Sequence, residues 1–415
     1  MEKDRKMRNN KKLLVVLIIA SGIVSAGIVS YFIITAFIIT DQEFFDIKIK
    51  VVMANYKIPS LAAGIVINDT LVWAKGYGDQ PDLDTVYMIG SITKTFTATA
   101  ILQLNESNLL NLDDDINDYL PFDVKHPNYT STPITIRMLL SHTAGLARDL
   151  SYAIQWYFDN KTIGWINNNL GTNITYWEPR PSLEDFLNGS FTSTGLYYSS
   201  NNWDSEPGSH FLYSNTGFIL LGYLVEQITN QSLPNYYQDN ILDPLNMINS
   251  GCNYTDFVGK NAIPYERIGN RIHEIPIYNW APSGAGSLRS TVSDMAKFMI
   301  AHMNLGKVNE TQILKPESVE LMSEKQVSLT GPYLGFDLDG YGLGWLIYKN
   351  NFRGHDGATP GYLANMFINE NEKGTFGVIL MFNRGISFTF DIELFYKFYP
   401  EINQILLERA EDLFY

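Results

Sequence analysis

The sequence predicts a mixed α+β domain behind an apolar N-terminal segment, and three observations indicate this. Two β-like runs at residues 60–67 and 71–76 are separated by Asn68-Asp-Thr, which is a hairpin signal. Apolar residues recur at helical spacing over residues 91–108. Residues 13–39 form an uncharged, strongly apolar run of 27 residues, which is long enough to span a bilayer.

The other elements follow from the same local patterns along the chain. Residues 41–56 form a predicted first helix, and residues 86–88 form a short strand that leads to Gly90. Ser293 is the predicted N-cap of a later helix. The remaining predictions are helices at residues 134–140, 216–229 and 293–305, strands at residues 342–348, 363–368 and 377–382, and a helical tail at about residues 388–414.

The N-terminal segment has the charge pattern of a membrane anchor. Residues 1–12 carry six basic and two acidic side chains, a net charge of +4. Positive flanks stay in the cytoplasm, so this pattern predicts a cytoplasmic tail, an anchor at residues 13–39 and an extracytoplasmic remainder. The alternative is a cleaved signal peptide, whose apolar region is shorter, and no A-x-A site precedes Asp41. Either interpretation places the rest of the chain outside the cytoplasm.

Charge and cysteine content exclude several classes of function. The chain has a formal net charge of −14, which becomes −18 once the +4 of residues 1–12 is set aside. An acidic chain argues against nucleic-acid binding and against polyanionic substrates, although such a surface also serves solubility alone. Cys252 is the single cysteine, so an intramolecular disulfide and a thiolate zinc site are excluded.

The motif Ser91-Ile-Thr-Lys94 has the spacing of an activated nucleophile. Serine is a poor nucleophile at its own pKa and needs a base within hydrogen-bond reach. Residues three apart on a helix share one face, so Lys94 can reach Ser91. Gly90 allows a sharp turn into the helix, which places Ser91 at the positive end of the helix dipole. Burial without a counter-charge lowers the pKa of a lysine and makes it a usable base.

Two further motifs, Tyr213-Ser-Asn215 and His355-Asp-Gly357, follow in glycine-flanked, apolar contexts. Further landmarks are Leu139-Leu-Ser-His-Thr-Ala-Gly-Leu146, Pro207-Gly208 and Tyr341-Gly-Leu-Gly-Trp345. With these motifs in this order, the chain resembles the serine β-lactamase and penicillin-binding protein superfamily, in its class C or carboxypeptidase branch. The resemblance covers about residues 60–381.

The resemblance implies an antiparallel sheet flanked by helices, with a mostly helical subdomain inserted between the two halves of the chain. The active site would lie at the junction of sheet and subdomain. We therefore predict a hydrolase domain at residues 42–385, followed by a C-terminal helical tail at residues 386–415. Residues 147–206, which are rich in Asn, Ser, Tyr and Trp, form an extended insertion. In this family the region lies beside the mouth of the site, so it is either a lid or substrate wall, or a loop without a role.

The resemblance also assigns chemical roles on the lysine side of the site. Ser91 is the nucleophile, and Lys94 is its proton acceptor and electrostatic activator. Tyr213 matches the family's second base, which also helps to protonate the leaving group. Asn215 would hydrogen-bond both the substrate and the Lys94 ammonium.

The third motif implies the substrate-binding strand. His355 takes the place of the family's usual lysine, and Gly357 lets the substrate approach the strand closely. The backbone amides of Ser91 and Ala358 would form the oxyanion hole. A neutral histidine holds a carboxylate less well than lysine, and Asp356 adds a negative charge if it faces the cleft. The alternative is that Asp356 misses the substrate, because neighbours on a strand point to opposite faces.

Neither a metal nor another cofactor is predicted. His142 adjoins Ser141, but neighbours on a helix do not face each other, so His142 is interpreted as a family landmark rather than a triad member. The acidic run 113–115 lacks the glycine and glutamate positions of an EF-hand loop and is interpreted as a turn. Nine N-x-Ser/Thr sequons are consistent with glycosylation or with the chance expected of an asparagine-rich chain: Asn68, Asn105, Asn128, Asn160, Asn173, Asn188, Asn230, Asn253 and Asn309.

The sequence as a whole predicts a membrane-anchored, extracytoplasmic serine hydrolase that acts on an amide or ester through an acyl-enzyme. The third motif favours neutral esters, or peptides with a free amino group, over β-lactams. The alternative is a catalytically silent binding or sensor module on the same scaffold, and a structural surface protein is a third class. An intact set of Ser91, Lys94, Tyr213 and Asn215 favours the enzyme. The oligomeric state is left open.

Overall fold

The computed structural model describes residues 40–386, 388 and 391–415. The predicted cytoplasmic tail 1–12 and anchor 13–39 lie outside the described residues. Among those that are described, no helix is both long and apolar enough to cross a membrane. The chain divides into two compact units, one ending at Lys57 and one comprising Ile58–Tyr415. The predicted domain limits at residues 42 and 385 stay predictions.

The described part of the first unit is helix α1, Asp41–Asn55. Its start is a capping box, in which the Thr40 hydroxyl accepts from the Glu43 amide and the Glu43 carboxylate accepts from the Thr40 amide. These two bonds satisfy amide groups that have no partner inside a helix, so the local sequence sets where the helix begins. The prediction at residues 41–56 is confirmed to within one residue.

The second unit combines β-strands with helices from several parts of the chain. Its described strands are β1 Ser60–Ile67, β2 Thr70–Gly78, β3 Tyr87–Met88, β4 Tyr265–Ile268, β5 Arg271–Glu274, β6 Arg289–Ser290, β7 Lys307–Val308, β8 Thr311–Gln312, β9 Val327–Tyr333, β10 Phe336–Tyr341, β11 Leu346–Tyr348, β12 Phe352–Thr359, β13 Tyr362–Asn371, β14 Gly374–Phe382 and β15 Arg384–Gly385. Its described α-helices are α2 Thr93–Glu106, α3 Ile136–Leu140, α4 Ala153–Tyr157, α5 Asn160–Leu170, α6 Leu183–Phe191, α7 Asn215–Thr229, α8 Leu233–Tyr237, α9 Ser283–Gly286, α10 Val292–Met303, α11 Pro316–Ser323 and α12 Tyr399–Phe414.

The main sheet has eight antiparallel strands in the order β2-β1-β14-β13-β12-β11-β10-β9. Its central strands come from both ends of the unit, and most of the helices lie between them in sequence. The predicted α+β class with an antiparallel sheet and helices is therefore confirmed. The predicted hairpin at Asn68 is also observed, because β1 pairs with β2 and Asn68 adopts the left-handed conformation with φ of 53°.

The two faces of the sheet pack against different helices. On β14, a Cβ at Gly377 would touch Met299 of α10, and Gly377 pairs with Ile368 of β13. Asn365 of β13 points to the other face, where its amide donates to Asn403 of α12 at 2.7 Å. Residues that pair across antiparallel strands share a face, so the alternation can be followed from β14 and β13 to β12.

The second unit departs from the local predictions at the start of α10 and at the strand predicted for residues 342–348. The N-cap of α10 lies two residues before the predicted one, because the Thr291 hydroxyl, not that of Ser293, accepts from the Asp294 amide. The strand predicted at residues 342–348 is formed only over Leu346–Tyr348, since Gly344 adopts a φ of 79° that a strand does not accommodate. Side-chain pattern alone does not reveal either backbone feature.

The segment 147–206, predicted only as a long insertion, includes short helices. It contains α4, α5 and α6, and several of its aromatic side chains enter the hydrophobic core. Trp156 stacks on Phe186 with the ring centroids 5.1 Å apart, and Trp203 is 8% exposed. The segment is polar in overall composition, but a small set of large aromatic side chains buries enough area to hold these short helices in place.

Candidate active site

Ser91 lies in the short 3-10 turn Gly90–Ile92, immediately before α2. The preceding strand β3 pairs with β6, which fixes the chain where it enters the turn. Gly90 has a φ of 54°, a left-handed conformation that favours glycine. The α-helix proper begins at Thr93, so Ser91 occupies the turn ahead of it rather than its first regular position.

Lys94, one turn after Ser91, points back to the serine from inside the protein. Its Nζ lies 3.0 Å from Ser91 Oγ, 2.8 Å from Asn215 Oδ1 and 2.7 Å from the carbonyl oxygen of Ala285. The side chain is 0% exposed. Three oxygen partners match the three hydrogens of an ammonium group, so the amine is held in one orientation.

Lys94, Asn215 and Ala285 come from three packed helices. Helices α2, α7 and α9 contact one another, and each contributes one part of this arrangement. Gly284 makes the approach of α9 to α7 possible, since a Cβ there would lie 2.3 Å from the carbonyl oxygen of Phe218. Helix packing therefore sets where the amine lies relative to the serine.

Burial lowers the pKa of Lys94 to about 7, from an ordinary value of 10.5. The carboxylate of Asp149 opposes this change, and the guanidinium of Arg148 adds to it. Desolvation dominates because removing an ammonium group from water costs more than a partly exposed carboxylate returns. At neutral pH a substantial fraction of Lys94 is the free amine, which can accept a proton.

Tyr213 lies between the two cations of the site. Its ring centroid is 5.0 Å from Lys94 Nζ and 5.6 Å from Arg148 Cζ. Burial raises the pKa of the Tyr213 hydroxyl, and its hydrogen bond with Ser91 opposes this change. Tyr213 is therefore a neutral hydroxyl at pH 7, next to the serine.

Asn215 is the first residue of α7 and bridges two groups. Its Oδ1 accepts from Lys94, and its Nδ2 donates to Asp149 Oδ1 at 2.9 Å. The backbone carbonyl oxygen of Arg148 accepts from the backbone N–H of Asn215 at 2.7 Å, and this bond holds the start of α7 in place. The structure thus brings together Ser91, Lys94, Tyr213 and Asn215 of the two first motifs.

Arg148 and Asp149 belong to the site, although sequence reasoning missed them. Asp149 Oδ1 also accepts from the hydroxyl of Tyr157 at 2.8 Å, and its Oδ2 lies 3.8 Å from Arg148 Nε. The Arg148 side chain is 73% exposed. A signal was present, since the two charged residues lie one residue beyond the landmark that ends at Leu146. They fall at the start of the predicted insertion 147–206.

Strand β12 passes directly beside the serine turn. A Cβ at Gly357 would lie 1.8 Å from the Ile89 carbonyl oxygen and 3.0 Å from the Ser91 amide nitrogen. A Cβ at Gly90 would lie 2.7 Å from the Ala358 amide nitrogen. The two glycines therefore let the turn and the strand touch, and they bring the amides of Ser91 and Ala358 to the same place.

His355 is buried, 1% exposed, and both of its ring nitrogens have partners within the protein. Nε2 lies 3.2 Å from the Tyr341 hydroxyl, and Nδ1 lies 2.6 Å from the Asp356 carbonyl oxygen. Burial, assisted by the charge on Lys94, lowers the pKa of His355 to about 3. The ring is therefore neutral at pH 7.

Asp356 points away from the serine side of the sheet. It pairs with Asn365, which faces α12, whereas Gly357 pairs with Ala364 and faces the serine turn. The Asp356 carboxylate accepts from the hydroxyl of Tyr333 at 3.0 Å. Burial raises its pKa above the ordinary value. Of the two alternatives for Asp356, the strand alternation favours the one in which its carboxylate misses the substrate.

Across the described ranges, no group of three or more His, Cys, Asp or Glu side chains could hold a metal ion. The acidic run 113–115 has partners in the protein instead. Asp113 pairs with Arg137 at 2.7 Å, and Asp115 accepts from the Asn117 amide to cap the turn Ile116–Asp118. The Asp113 and Asp115 carboxylates therefore form an ion pair and a cap within the protein.

The chain is similar to known proteins over most of its length. Residues 45–396 match the Beta-lactamase family. The chain is 25% identical over 384 residues to penicillin-binding protein 4 of Amycolatopsis lactamdurans, covering 87% of this chain and 89% of that protein. It is 27% identical over 356 residues to protein flp of Staphylococcus aureus (strain COL), covering 82% of this chain and 63% of flp. The structure of the octameric penicillin-binding protein homologue from Pyrococcus abyssi has a TM-score of 0.70 and 26% identity, covering 89% of this chain and 78% of that one.

Proposed function

The chain belongs to the Beta-lactamase family. We propose that it is a serine hydrolase that cleaves an amide or ester through an acyl-enzyme on Ser91. The assignment to the class C branch is part of this proposal. One observation is the main support for the proposed hydrolase activity. Lys94, fully buried and with a pKa of about 7, holds its Nζ 3.0 Å from Ser91 Oγ. A base with a pKa near the working pH is the most effective proton acceptor.

In the first half of the reaction, Ser91 Oγ attacks the carbonyl carbon of the substrate and gives its proton to the free amine of Lys94. The carbonyl oxygen becomes an oxyanion, and the amides of Ser91 and Ala358 would stabilise it. Their position beside each other, enforced by Gly90 and Gly357, supports this role. Fixed amide dipoles stabilise developing charge without having to reorganise.

Tyr213 then serves as proton donor rather than as a phenolate base, because burial raises the pKa of its hydroxyl. It passes its proton to the leaving nitrogen or oxygen and regains one from the Lys94 ammonium. The bond from carbon to the leaving group breaks, and the acyl group remains on Ser91 Oγ. Water then attacks the ester, the bond to Ser91 Oγ breaks, and the serine recovers a proton.

We infer a substrate without an essential carboxylate. His355 is neutral and both of its nitrogens are engaged, so the third motif supplies no cation. The open charged groups near Tyr213 are Arg148 and Asp149, which lie close enough to offset each other. This arrangement favours neutral esters, or amides and peptides that carry a free amino group for Asp149 to bind.

The nucleophile is tested by treating the purified protein with a fluorophosphonate probe and mapping the adduct by mass spectrometry. Wild-type protein should carry one adduct on Ser91, and Ser91→Ala should carry none. Ser209→Ala, which removes an exposed hydroxyl, is the matched control and should label like wild type. An adduct on another serine would refute the assignment. A complete lack of labelling in the folded wild-type protein would favour the noncatalytic binding module.

The substrate class is tested by comparing kcat/KM on nitrocefin, a p-nitrophenyl ester and a D-amino-acid p-nitroanilide. We expect nitrocefin to be the poorest of the three. If nitrocefin is the best substrate, the proposed preference is wrong, and Arg148 becomes the first candidate for a carboxylate ligand. Arg148→Gln should then reduce nitrocefin turnover selectively.

We also propose that residues 13–39 anchor the protein and that the hydrolase faces away from the cytoplasm. The support is the uncharged run of 27 residues behind a segment of net charge +4. Protease treatment of intact cells should release the domain and leave the anchor in the membrane. Protection in intact cells, together with digestion after lysis, would reverse the orientation.

A further inference from the structure

Two buried histidines are joined through one tyrosine on the strand side of the site. His142 Nε2 lies 3.1 Å from the hydroxyl oxygen of Tyr341, and His355 Nε2 lies 3.2 Å from the same oxygen. His142, Tyr341 and His355 are 2%, 0% and 1% exposed. The contacts therefore form a chain in which protein groups, rather than solvent, decide where each hydrogen lies.

The two ends of this chain fix the hydrogens on the histidines. His142 Nδ1 lies 3.1 Å from the backbone amide of Ser214, and an amide N–H can only donate. His355 Nδ1 lies 2.6 Å from the carbonyl oxygen of Asp356, and a carbonyl can only accept. Nδ1 is therefore the acceptor in His142 and the donor in His355.

A single direction of donation then satisfies every group. Neutral His142 carries its hydrogen on Nε2 and donates to the Tyr341 oxygen, and Tyr341 donates its own hydrogen to His355 Nε2. A charged His355 would direct a second N–H at the Tyr341 oxygen and leave the tyrosine hydrogen without an acceptor. Buried polar groups without partners are strongly disfavoured, so the arrangement keeps both rings neutral.

We propose that His142, Tyr341 and His355 form a one-directional hydrogen-bond chain in which His355 is a positioning residue and not a ligand of the substrate. One end of the chain holds Ser214, which lies between Tyr213 and Asn215. The other end holds the carbonyl of Asp356, two residues before Ala358. The chain thereby sets the distance between the proton donor and the strand that carries the oxyanion amide.

Electrostatics and packing agree with this role. Burial lowers the pKa of both histidines, and the charge on Lys94 lowers each of them further. The His142 ring is packed on the rings of Phe211, Tyr213 and Phe218, with centroids 5.7, 4.4 and 5.0 Å away. The ring cannot rotate to exchange its two nitrogens without displacing this packing.

The first test reads the tautomers directly and requires no activity. Full-length protein in detergent, labelled with ¹⁵N in its histidine rings, is examined by long-range ¹H–¹⁵N correlation at neutral pH. His142→Gln and His355→Gln spectra assign the signals. We expect the hydrogen on Nε2 in His142 and on Nδ1 in His355. The same tautomer on both rings, or an imidazolium on either one, would overturn the proposal.

The second test removes the central hydroxyl. Tyr341→Phe should shift the His355 Nε2 signal and lower the rate constant of Ser91 labelling by the fluorophosphonate at least about tenfold. Tyr348→Phe is the matched control, because its hydroxyl is equally buried and has no hydrogen-bond partner among the described residues. It should leave the tautomers unchanged and the rate within about twofold.

The two tests separate this proposal from the proposed hydrolase. A protein that is not labelled but has the expected tautomers would refute the hydrolase and support the chain. A labelled protein with other tautomers would do the reverse. Equal effects of Tyr341→Phe and Tyr348→Phe on labelling would overturn the positioning role. If Tyr341→Phe does not fold, the tautomers of His142 and His355 in the wild-type protein decide whether the proposed hydrogen-bond chain exists.

Discussion

The helix side of the site, which holds Lys94, and the strand side, which holds His355, bury a basic group to almost the same degree. Lys94 is 0% exposed and His355 is 1% exposed. Burial lowers the pKa of Lys94 to about 7 and that of His355 to about 3. Only the lysine can therefore exchange a proton near neutral pH.

The difference arises from the starting values and from the partners. The pKa begins at 10.5 for lysine and at 6.5 for histidine, so a similar desolvation leaves the lysine pKa near neutrality and the histidine pKa well below it. Lys94 also faces oxygen acceptors, with the Asp149 carboxylate nearby, whereas His355 takes part in a neutral network. Burial alone therefore does not make a base: the ordinary pKa of the side chain, together with its partners, decides which buried group can exchange a proton near neutral pH.

Replacing Lys94 should have the largest effect on activity. Lys94→Ala removes the proton acceptor, so we expect the rate of Ser91 acylation to fall by about 10²–10⁴-fold. Because the two residues act as one unit, Ser91→Ala/Lys94→Ala should be no less active than Ser91→Ala alone. Quench labelling measures the acylation rate of Lys94→Ala, and residual substrate turnover compares the double variant with Ser91→Ala, in which Ser91 cannot be acylated. Additive losses in the double variant would contradict a shared role.

On the strand side, a substitution that adds a single carbon tests the close approach of β12 to the serine turn. Gly357→Ala would place its Cβ 1.8 Å from the Ile89 carbonyl oxygen, so we expect a loss of about 1–3 kcal/mol in the free energy of unfolding. Gly164→Ala is the control, since no described atom beyond its chain neighbours and the nearby backbone of α5 lies within 4 Å of the added carbon. It should stabilise the protein by about 0.5–1 kcal/mol, because alanine favours a helix. Denaturant unfolding of both variants measures the difference, and a stable Gly357→Ala protein would refute the close approach.

The smallest expected effect is on the pH dependence of acylation. The rate should rise with pH as Lys94 loses its proton, with a midpoint near the pKa of about 7. Asp149 raises that pKa, so Asp149→Asn should move the midpoint to lower pH. Arg148 lowers it, so Arg148→Gln should move the midpoint to higher pH. Each displacement should be less than about one pH unit, because both side chains are partly exposed to water. Midpoints that move in the same direction would contradict the assignment of Lys94 as the base.

Local patterns predicted many of the elements well. Strand β1 was predicted with its observed limits, and α1 to within one residue, because hairpin and capping signals lie in adjacent residues. The helices of segment 147–206 were not predicted. Their stability comes from aromatic contacts such as Trp156 with Phe186, which are thirty residues apart in sequence and meet only in the folded core.

The sequence by itself determined the proximity of Ser91 and Lys94, because two residues three positions apart share one face of a helical turn whatever surrounds them. It also determined that His355 and Asp356 point to opposite sides of their strand, since alternation is a property of the backbone. Only the tertiary structure decided that Asp149 supports Asn215, that Gly357 meets the serine turn and that His142 reaches His355 through Tyr341. The contacts of Asp149 with Asn215, of His142 with Tyr341 and of Gly357 with Ile89 join residues 66, 199 and 268 positions apart, and long-range packing, not local spacing, brings such residues together.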